Sequence, residues 1–432
     1  MNTRNPKTQT ISRSDYYDVI VIGGGPAGLT AAYFATKEGC RTLLFEKLPH
    51  KGKLSHPEGG AIWPIPKLVT LEKEPMGIKI LETDFLLPNR IIIGASRSSE
   101  FIGPNNARFG YYLPKGMLAP VIDKSELLKI LAKQAEVAGA TLAYGQRVTG
   151  LIKENGYVTG VKVGNREFKS SLVISAEGIA GKLCEEAGLQ VNKDVFFAYI
   201  VAYYLTGLKL EPHQATNTLY IMDDKYIGAP RIMGGFAPQN RQQGQIYVAI
   251  FSADGKYHNE KPITDYLNRF METDPRVKEL CRGAIINKKT GCRLTVRALP
   301  HTTVSDGFIG VGDAVVAGGE MLSAPAMVFA RLAAEVGASS IRKGDISATN
   351  LIRYNQWLKH PYVKGLESQY KTFSAYASLS TLEIGKAFEV FNGIDLWKLS
   401  MGTHLGRLGT MVKLIPRLPA IILNWDLMRR FI

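Results

Sequence analysis

Two glycine turns stand at opposite ends of the 432-residue chain. The first holds Gly23, Gly25 and Gly28, and it follows the apolar run YDVIVI. In a GxGxxG turn behind a strand, the first glycine permits the tight turn. The second lets backbone approach a pyrophosphate, and the third lets helix and strand pack closely. Pro26 and Ala27 fall at the head of the helix, where free N–H groups and a partial positive charge favour phosphate. Glu46 stands eighteen residues past Gly28 and is followed by Lys47. A carboxylate there can accept both hydroxyls of an adenosine ribose. The second turn is Gly312-Asp313 behind the run GFIGV, and it carries an acid where the first has none. These residues alone leave FAD and NAD both open, since the two share that ribose.

Such residues need a frame. Tyr17 to Gly39 reads strand, turn, helix, and RTLLFEK from Arg41 is a second strand, which makes a βαβ unit. From Leu48 to about Pro120, short β-like pieces alternate with Pro and Gly, as in an inserted antiparallel region. A helix resumes after Asp123, the expected N-cap, with Glu126 completing a capping box. Asn155-Gly156 is a hairpin turn. Roughly from Leu189 to Arg293, strands such as FFAYIVAYYLTGLKL predict a second, mainly antiparallel domain. The expected fold class is therefore α/β: a discontinuous Rossmann-like dinucleotide-binding domain, an antiparallel β-sheet substrate domain and a helical C-terminal segment. The expected bounds are 15–60, 115–188 and 295–345 for the first, 61–114 and 189–294 for the second, and 346–432 for the third.

The 53 Lys/Arg against 38 Asp/Glu give a net charge of +15, and 45% of residues are hydrophobic. A basic balance suits anionic membranes, acidic substrates or nucleic acid. No Lys/Arg block, zinc-finger spacing or RNA-binding signature occurs, which argues against nucleic acid. Cys40, Cys184, Cys281 and Cys292 are scattered, so free thiols in a reducing compartment and no metal site are expected. The first sixteen residues lack the apolar core of a signal peptide, and no apolar run is long enough to span a membrane. These features predict a cytoplasmic protein.

Three further motifs fall in order. IDKSELLKILAKQAEVAGATLAYGQRVTGL resembles the segment after the first insertion in FAD enzymes of the p-hydroxybenzoate hydroxylase type. SSLVISAEG resembles their strand ending in Asp-Gly, with Glu177-Gly178 standing there, and GFIGVGDA resembles their late Gly-Asp motif. Within that superfamily, EGGAIWP, DPRVKELCRG and CRLTVRALPHTTVSDGFIGVGDA make the chain most similar to the geranylgeranyl reductase group. FixC and the electron-transfer-flavoprotein:quinone oxidoreductases are relatives of that group. The resemblance implies noncovalent FAD. Gly23, Gly25 and Gly28 would hold its pyrophosphate and Glu46 its ribose. Lys124 would lie near the phosphates, Val148 beside the adenine, and Asp313 at the ribityl hydroxyls. Two departures are visible: Glu177 replaces Asp, and AVVAGGEMLSAPA carries its glycines early and Pro325 late.

The same resemblance places SHPEGGA near the flavin. His56 or Glu58 could then protonate a carbon as hydride reaches its neighbour, and Gly59, Gly60 and Ala61 would let backbone approach the ring. It implies an apolar substrate, a prenyl lipid or quinone, and a ferredoxin or flavoprotein as electron donor. The main expectation is reduction of prenyl-chain double bonds, and the alternative is FixC-like electron transfer to quinone. No second GxGxxG, no CxxxxC pair and no iron–sulfur cysteine set occurs, so neither an NAD(P)H domain, a disulfide reductase nor a full quinone oxidoreductase is expected. Past Leu396, six Lys/Arg face one acid among aliphatics and two tryptophans, which suits peripheral membrane contact or a packed helix pair.

Overall fold

The computed structural model describes residues 16–54, 60–191, 195–252, 256–257, 261–316, 323–400 and 404–428. The run Tyr17–Ile22 forms strand β1, buried from Val19 to Ile22. Helix α1 (Pro26–Lys37) follows, with Ala31, Ala32 and Ala35 wholly buried against the sheet. Small side chains bring the helix axis close to the strands. Strand β2 (Thr42–Glu46) pairs in parallel with β1. Helix α2 (Lys124–Ala138) starts where the Asp123 carboxylate accepts the Glu126 N–H and stops at Gly139 in the left-handed region. The reciprocal half of the expected capping box gives way to competitors. The Asp123 N–H donates to Ile91 O at 2.8 Å, and Glu126 pairs with Lys129 at 2.6 Å.

Strands β3 (Thr141–Tyr144), β4 (Arg166–Ser175) and β5 (Phe308–Gly310) complete a parallel sheet in the order β3-β2-β1-β4-β5. Helix α3 (Ser323–Arg342) packs on α1. The hairpin Val148–Glu154 to Tyr157–Val163 turns at Asn155-Gly156, both at positive φ, as such a turn requires.

A second sheet has seven strands: Ile285–Arg297, Val195–Thr206, Gln243–Ser252, Ile232–Pro238, Asn217–Ile221, Ser98–Ile102 and Arg108–Tyr112, in spatial order. Strands from both insertions thus share one sheet. All neighbours are antiparallel except Asn217–Ile221 against Ser98–Ile102, the parallel seam where the two insertions meet. Phe270 and Leu267 on helix Ile263–Thr273 cover one face. Helices Pro361–Tyr376 and Thr381–Phe391 cover the other over an aromatic core that includes Phe101, Phe196 and Phe251.

One expected boundary changes. The stretch 61–114, assigned whole to the substrate domain, divides. Ile62, Ile80, Phe85, Leu87 and Ile91 join the core of the first domain, with Phe85 against Tyr33 and Phe34 of α1. The cause is a three-stranded meander over residues 71–88 that packs Phe85 against α1 and whose Glu82 O accepts from Arg331 of α3 at 2.8 Å.

Candidate cofactor site

Both glycine turns lie at the C-terminal edge of the parallel strands, where α/β sheets bind ligands. In the first turn each glycine answers a different neighbour. A Cβ on Gly23 would sit 2.2 Å from Ala176 O, and one on Gly28 would sit 1.8 Å from Gly23 O. Those two positions are dictated by the protein's own packing. A Cβ on Gly25 would meet nothing within 4 Å. Packing therefore does not explain Gly25, and the open space leaves its backbone accessible to a ligand. Gly25 also caps α1 without any side-chain hydrogen bond, and the first turn of the helix holds no acid. The helix head thus keeps its N–H groups and positive end for an anion.

Glu46 ends β2 beside this turn. Its carboxylate accepts the Gly24 N–H at 2.5 Å and the Leu48 N–H at 2.8 Å, which fixes it at the strand edge. The entry to the Val148 strand is zipped onto the same place: Gln146 N–H donates to Glu46 O at 2.9 Å and Gly145 N–H to Leu48 O at 2.8 Å. Glu46, Lys47 and the approach to Val148 therefore lie together at one edge of the sheet, as an adenosine site would need. Lys124 opens α2, next to the strand Ala119–Ile122.

Gly312 and Asp313 form a short 3-10 turn after β5, with Gly312 at φ +58°. Val311 N–H donates to Ser175 O at 2.9 Å, and Ala176 N–H to Ile22 O at 2.7 Å, so β1, β4 and β5 end in line. A Cβ on Gly312 would stand 3.3 Å from the Ala27 Cβ at the head of α1. The two turns therefore abut, and Asp313 is half-buried beside the first one.

Arg297, to which the segment CRLTVRALPHTTVSDGFIGVGDA gives no role of its own, holds the second turn. Arg297 ends the strand Ile285–Arg297, is 2% exposed, and donates to Asp313 O at 2.5 Å and to Ile179 O. Its fork ties the Gly-Asp turn to the turn after β4 (Gly178–Ala180) and ties both to the second sheet. Burial lowers the Arg297 pKa, opposed by Cys184, Asp313 and Glu177. An arginine stays charged even so. The sequence offers only a faint sign, a charge inside the apolar run LTVRAL.

Other expected site residues serve the scaffold. The Glu177 carboxylate caps the short helix Lys182–Glu186, accepting the Leu183 N–H at 2.8 Å and the Cys184 N–H at 3.0 Å. Burial raises its pKa and these N–H groups oppose the rise. Both contacts use one carboxylate oxygen, Oε1. Gly60 is a glycine because a Cβ would sit 2.3 Å from Ile122 O, and Ala61 bridges to Val121. Strand contact by itself therefore requires a glycine at position 60. His56, Glu58 and Gly59 lie outside the described residues, as does Ala317–Leu322 of the loop after Asp313. Among the described residues no group of His, Cys, Asp and Glu could hold a metal ion.

The family model for FAD dependent oxidoreductases matches residues 18–194. A digeranylgeranylglycerophospholipid reductase of Thermoplasma volcanium is 27% identical over 401 residues, covering 89% of this chain and 94% of the reductase. Among solved structures, a geranylgeranyl bacteriochlorophyll reductase-like protein of Thermoplasma acidophilum superposes with a TM-score of 0.74. It is 23% identical and covers 96% of this chain and 99% of that one. The halogenase PltM, solved with phloroglucinol and FAD, shares the fold with a TM-score of 0.63 at 13% identity, covering 96% of this chain and 85% of the halogenase. The GxGxxG turn, the acid that ends β2 and the abutting Gly-Asp turn fit FAD, the cofactor named with the family model and with the halogenase. The chain is an FAD-dependent oxidoreductase, similar in sequence and fold to the geranylgeranyl reductases.

Proposed function

We propose that this enzyme reduces carbon–carbon double bonds in the prenyl chains of an isoprenoid lipid. The observation that carries the reading is the abutment of the two turns. A ligand gripped at Gly25 and Glu46 extends past Ala27 to Asp313, and a flavin dinucleotide has the ribityl hydroxyls to meet that acid. Similarity to a prenyl-lipid reductase along nearly the whole chain supports the substrate class. FAD, when bound, supplies the hydride.

The chain's own residues position and enclose. Gly25 and the head of α1 take the pyrophosphate with Lys124 nearby, Glu46 takes the adenosine ribose, and the start of the Val148 strand borders the adenine. Asp313 takes the ribityl hydroxyls from a turn that Arg297 holds rigid. His56 and Glu58 are the candidates for delivering the proton that completes addition across the double bond. A ferredoxin or flavoprotein is the proposed source of electrons. Peripheral contact with a membrane belongs to the same reading, because such a substrate partitions into bilayers.

The test is single-turnover reduction. Dithionite-reduced enzyme is mixed with a geranylgeranylated lipid and the product is weighed. The reading predicts mass gain in steps of two hydrogens. No gain on any prenyl substrate, together with rapid reoxidation by quinone, would replace it with electron transfer of the FixC kind.

A further inference from the structure

The last helices wear their apolar side outward. In the helix His404–Val412 and the turn after it, Leu408, Met411, Val412 and Ile415 recur at the spacing of one helical face. A helix packed on a protein body buries such a stripe. Here these four residues are 52–60% exposed, while Thr410 on the opposite side is 4% exposed. The body is gripped by other groups. Arg417 donates to Val390 O at 2.6 Å and to Asn392 O at 2.5 Å, and Leu427 sits in the aromatic core. The pattern continues beyond: Ile422 is 68% exposed, Leu423 84% and Trp425 53%. A folded chain seldom leaves so many large apolar side chains together in water.

Charge decides what covers them. From Leu396 to Met428 the one acid is Asp426, against Lys398, Arg407, Lys413 and Arg417. Two copies meeting on this face would bring two such cationic segments together. Lipid phosphates would offset the charge instead. Among the described residues no helix is long and apolar enough to cross a membrane, so the contact is insertion into one leaflet. We infer that residues 404–428 dock the enzyme on an anionic bilayer surface, with Ile422, Leu423 and Trp425 inserted and Lys413 at headgroup level. This deepens the membrane contact proposed above by naming its surface and its lipid. It is tested without any prenyl substrate, so it succeeds or fails apart from the reductase assay.

The full chain is sedimented with phosphatidylcholine vesicles, with and without phosphatidylglycerol. Wild type should travel with the phosphatidylglycerol vesicles and much less with phosphatidylcholine alone. Tryptophan emission should shift to the blue on binding, and Trp425→Phe should lose that shift. Ile422→Ser with Leu423→Ser should partition about tenfold more weakly or worse. Lys413→Glu should lower binding to the anionic vesicles only. All these side chains are exposed, so unchanged thermal melting should show that the fold persists. Wild type left in the supernatant with both vesicles would overturn the inference, as would a double serine variant that binds like wild type. A lipid-free dimer that the same variant turns into monomer would assign the face to a second copy, and the lipid assignment would fall.

Discussion

The two glycine turns touch at Gly312 and Ala27, yet they are built in opposite ways. The first is made from one continuous stretch, β1 to α1, and its shape follows from local rules: a strand, a positive-φ glycine, a helix. The second is short and is held from outside. Its backbone carbonyl at Asp313 is fastened by Arg297, which arrives on a strand of the other sheet. A local device can be read from a few residues. A device assembled by tertiary contact cannot, because the spacing that creates it lies in the fold and not in the chain.

The sharpest way to break this comparison is to add one methyl group at two glycines of the same turn. Gly28→Ala puts a carbon 1.8 Å from Gly23 O. That should cost the apoprotein about 3 kcal/mol or more, and chemical denaturation would show it. Gly25→Ala meets no protein atom within 4 Å. Its apoprotein should stay within about 1 kcal/mol of wild type, while FAD affinity falls tenfold or more, ~1.4 kcal/mol. Equal destabilisation of the two apoproteins would show that Gly25 answers to packing after all.

Arg297 tests the other half. Arg297→Met leaves the carbonyls of Asp313 and Ile179 buried without their donor, at about 1–3 kcal/mol each. FAD affinity should drop on the order of a hundredfold while affinity for ADP, which reaches only the first turn, stays near wild type. Arg297→Lys keeps a charge but not the fork, so it should fall between. Parallel loss of both ligands would mean that Arg297 merely holds the fold.

The smallest effect concerns Glu177, whose carboxylate supports the turn between the two sheets. Its pKa in the folded chain lies above the ordinary 4.5 because of burial. A group raised in this way adds stability below its unfolded value and loses that share as pH climbs through its folded value. Wild type minus Glu177→Gln stability should thus be greatest in acid and shrink as pH rises past 4.5. A difference that grows with pH over that window would contradict the burial.

Legibility followed the same divide. The βαβ unit, the Asn155-Gly156 hairpin, the acid at the end of β2 and the Gly-Asp pair itself are legible because each rests on neighbours in sequence; the Arg297 contact that holds the Gly-Asp turn is not. What the sequence hid was mainly long-range. Glu177, which stands where the resemblance has Asp, also caps the head of a short helix with its carboxylate. Gly60 is expected at the flavin ring, and the packing demand of Ile122 on the same glycine has no sign in the sequence. The meander over residues 71–88 looked like substrate domain until Phe85 found Tyr33 and Phe34 on α1. For Gly60 and Phe85 the partner lies far along the chain, whereas the Glu177 carboxylate meets Leu183 and Cys184 only six and seven residues on.

The central claim is that both turns hold one cofactor, the first by its adenosine half and the second by its ribityl chain. Calorimetric titration of apoprotein carrying Asp313→Ala with FAD and with ADP tests it directly. The account predicts unchanged ADP binding and FAD binding weaker by about ten- to a hundredfold, ~1.4–2.8 kcal/mol. Undiminished FAD affinity, or equal loss for both ligands, would contradict it.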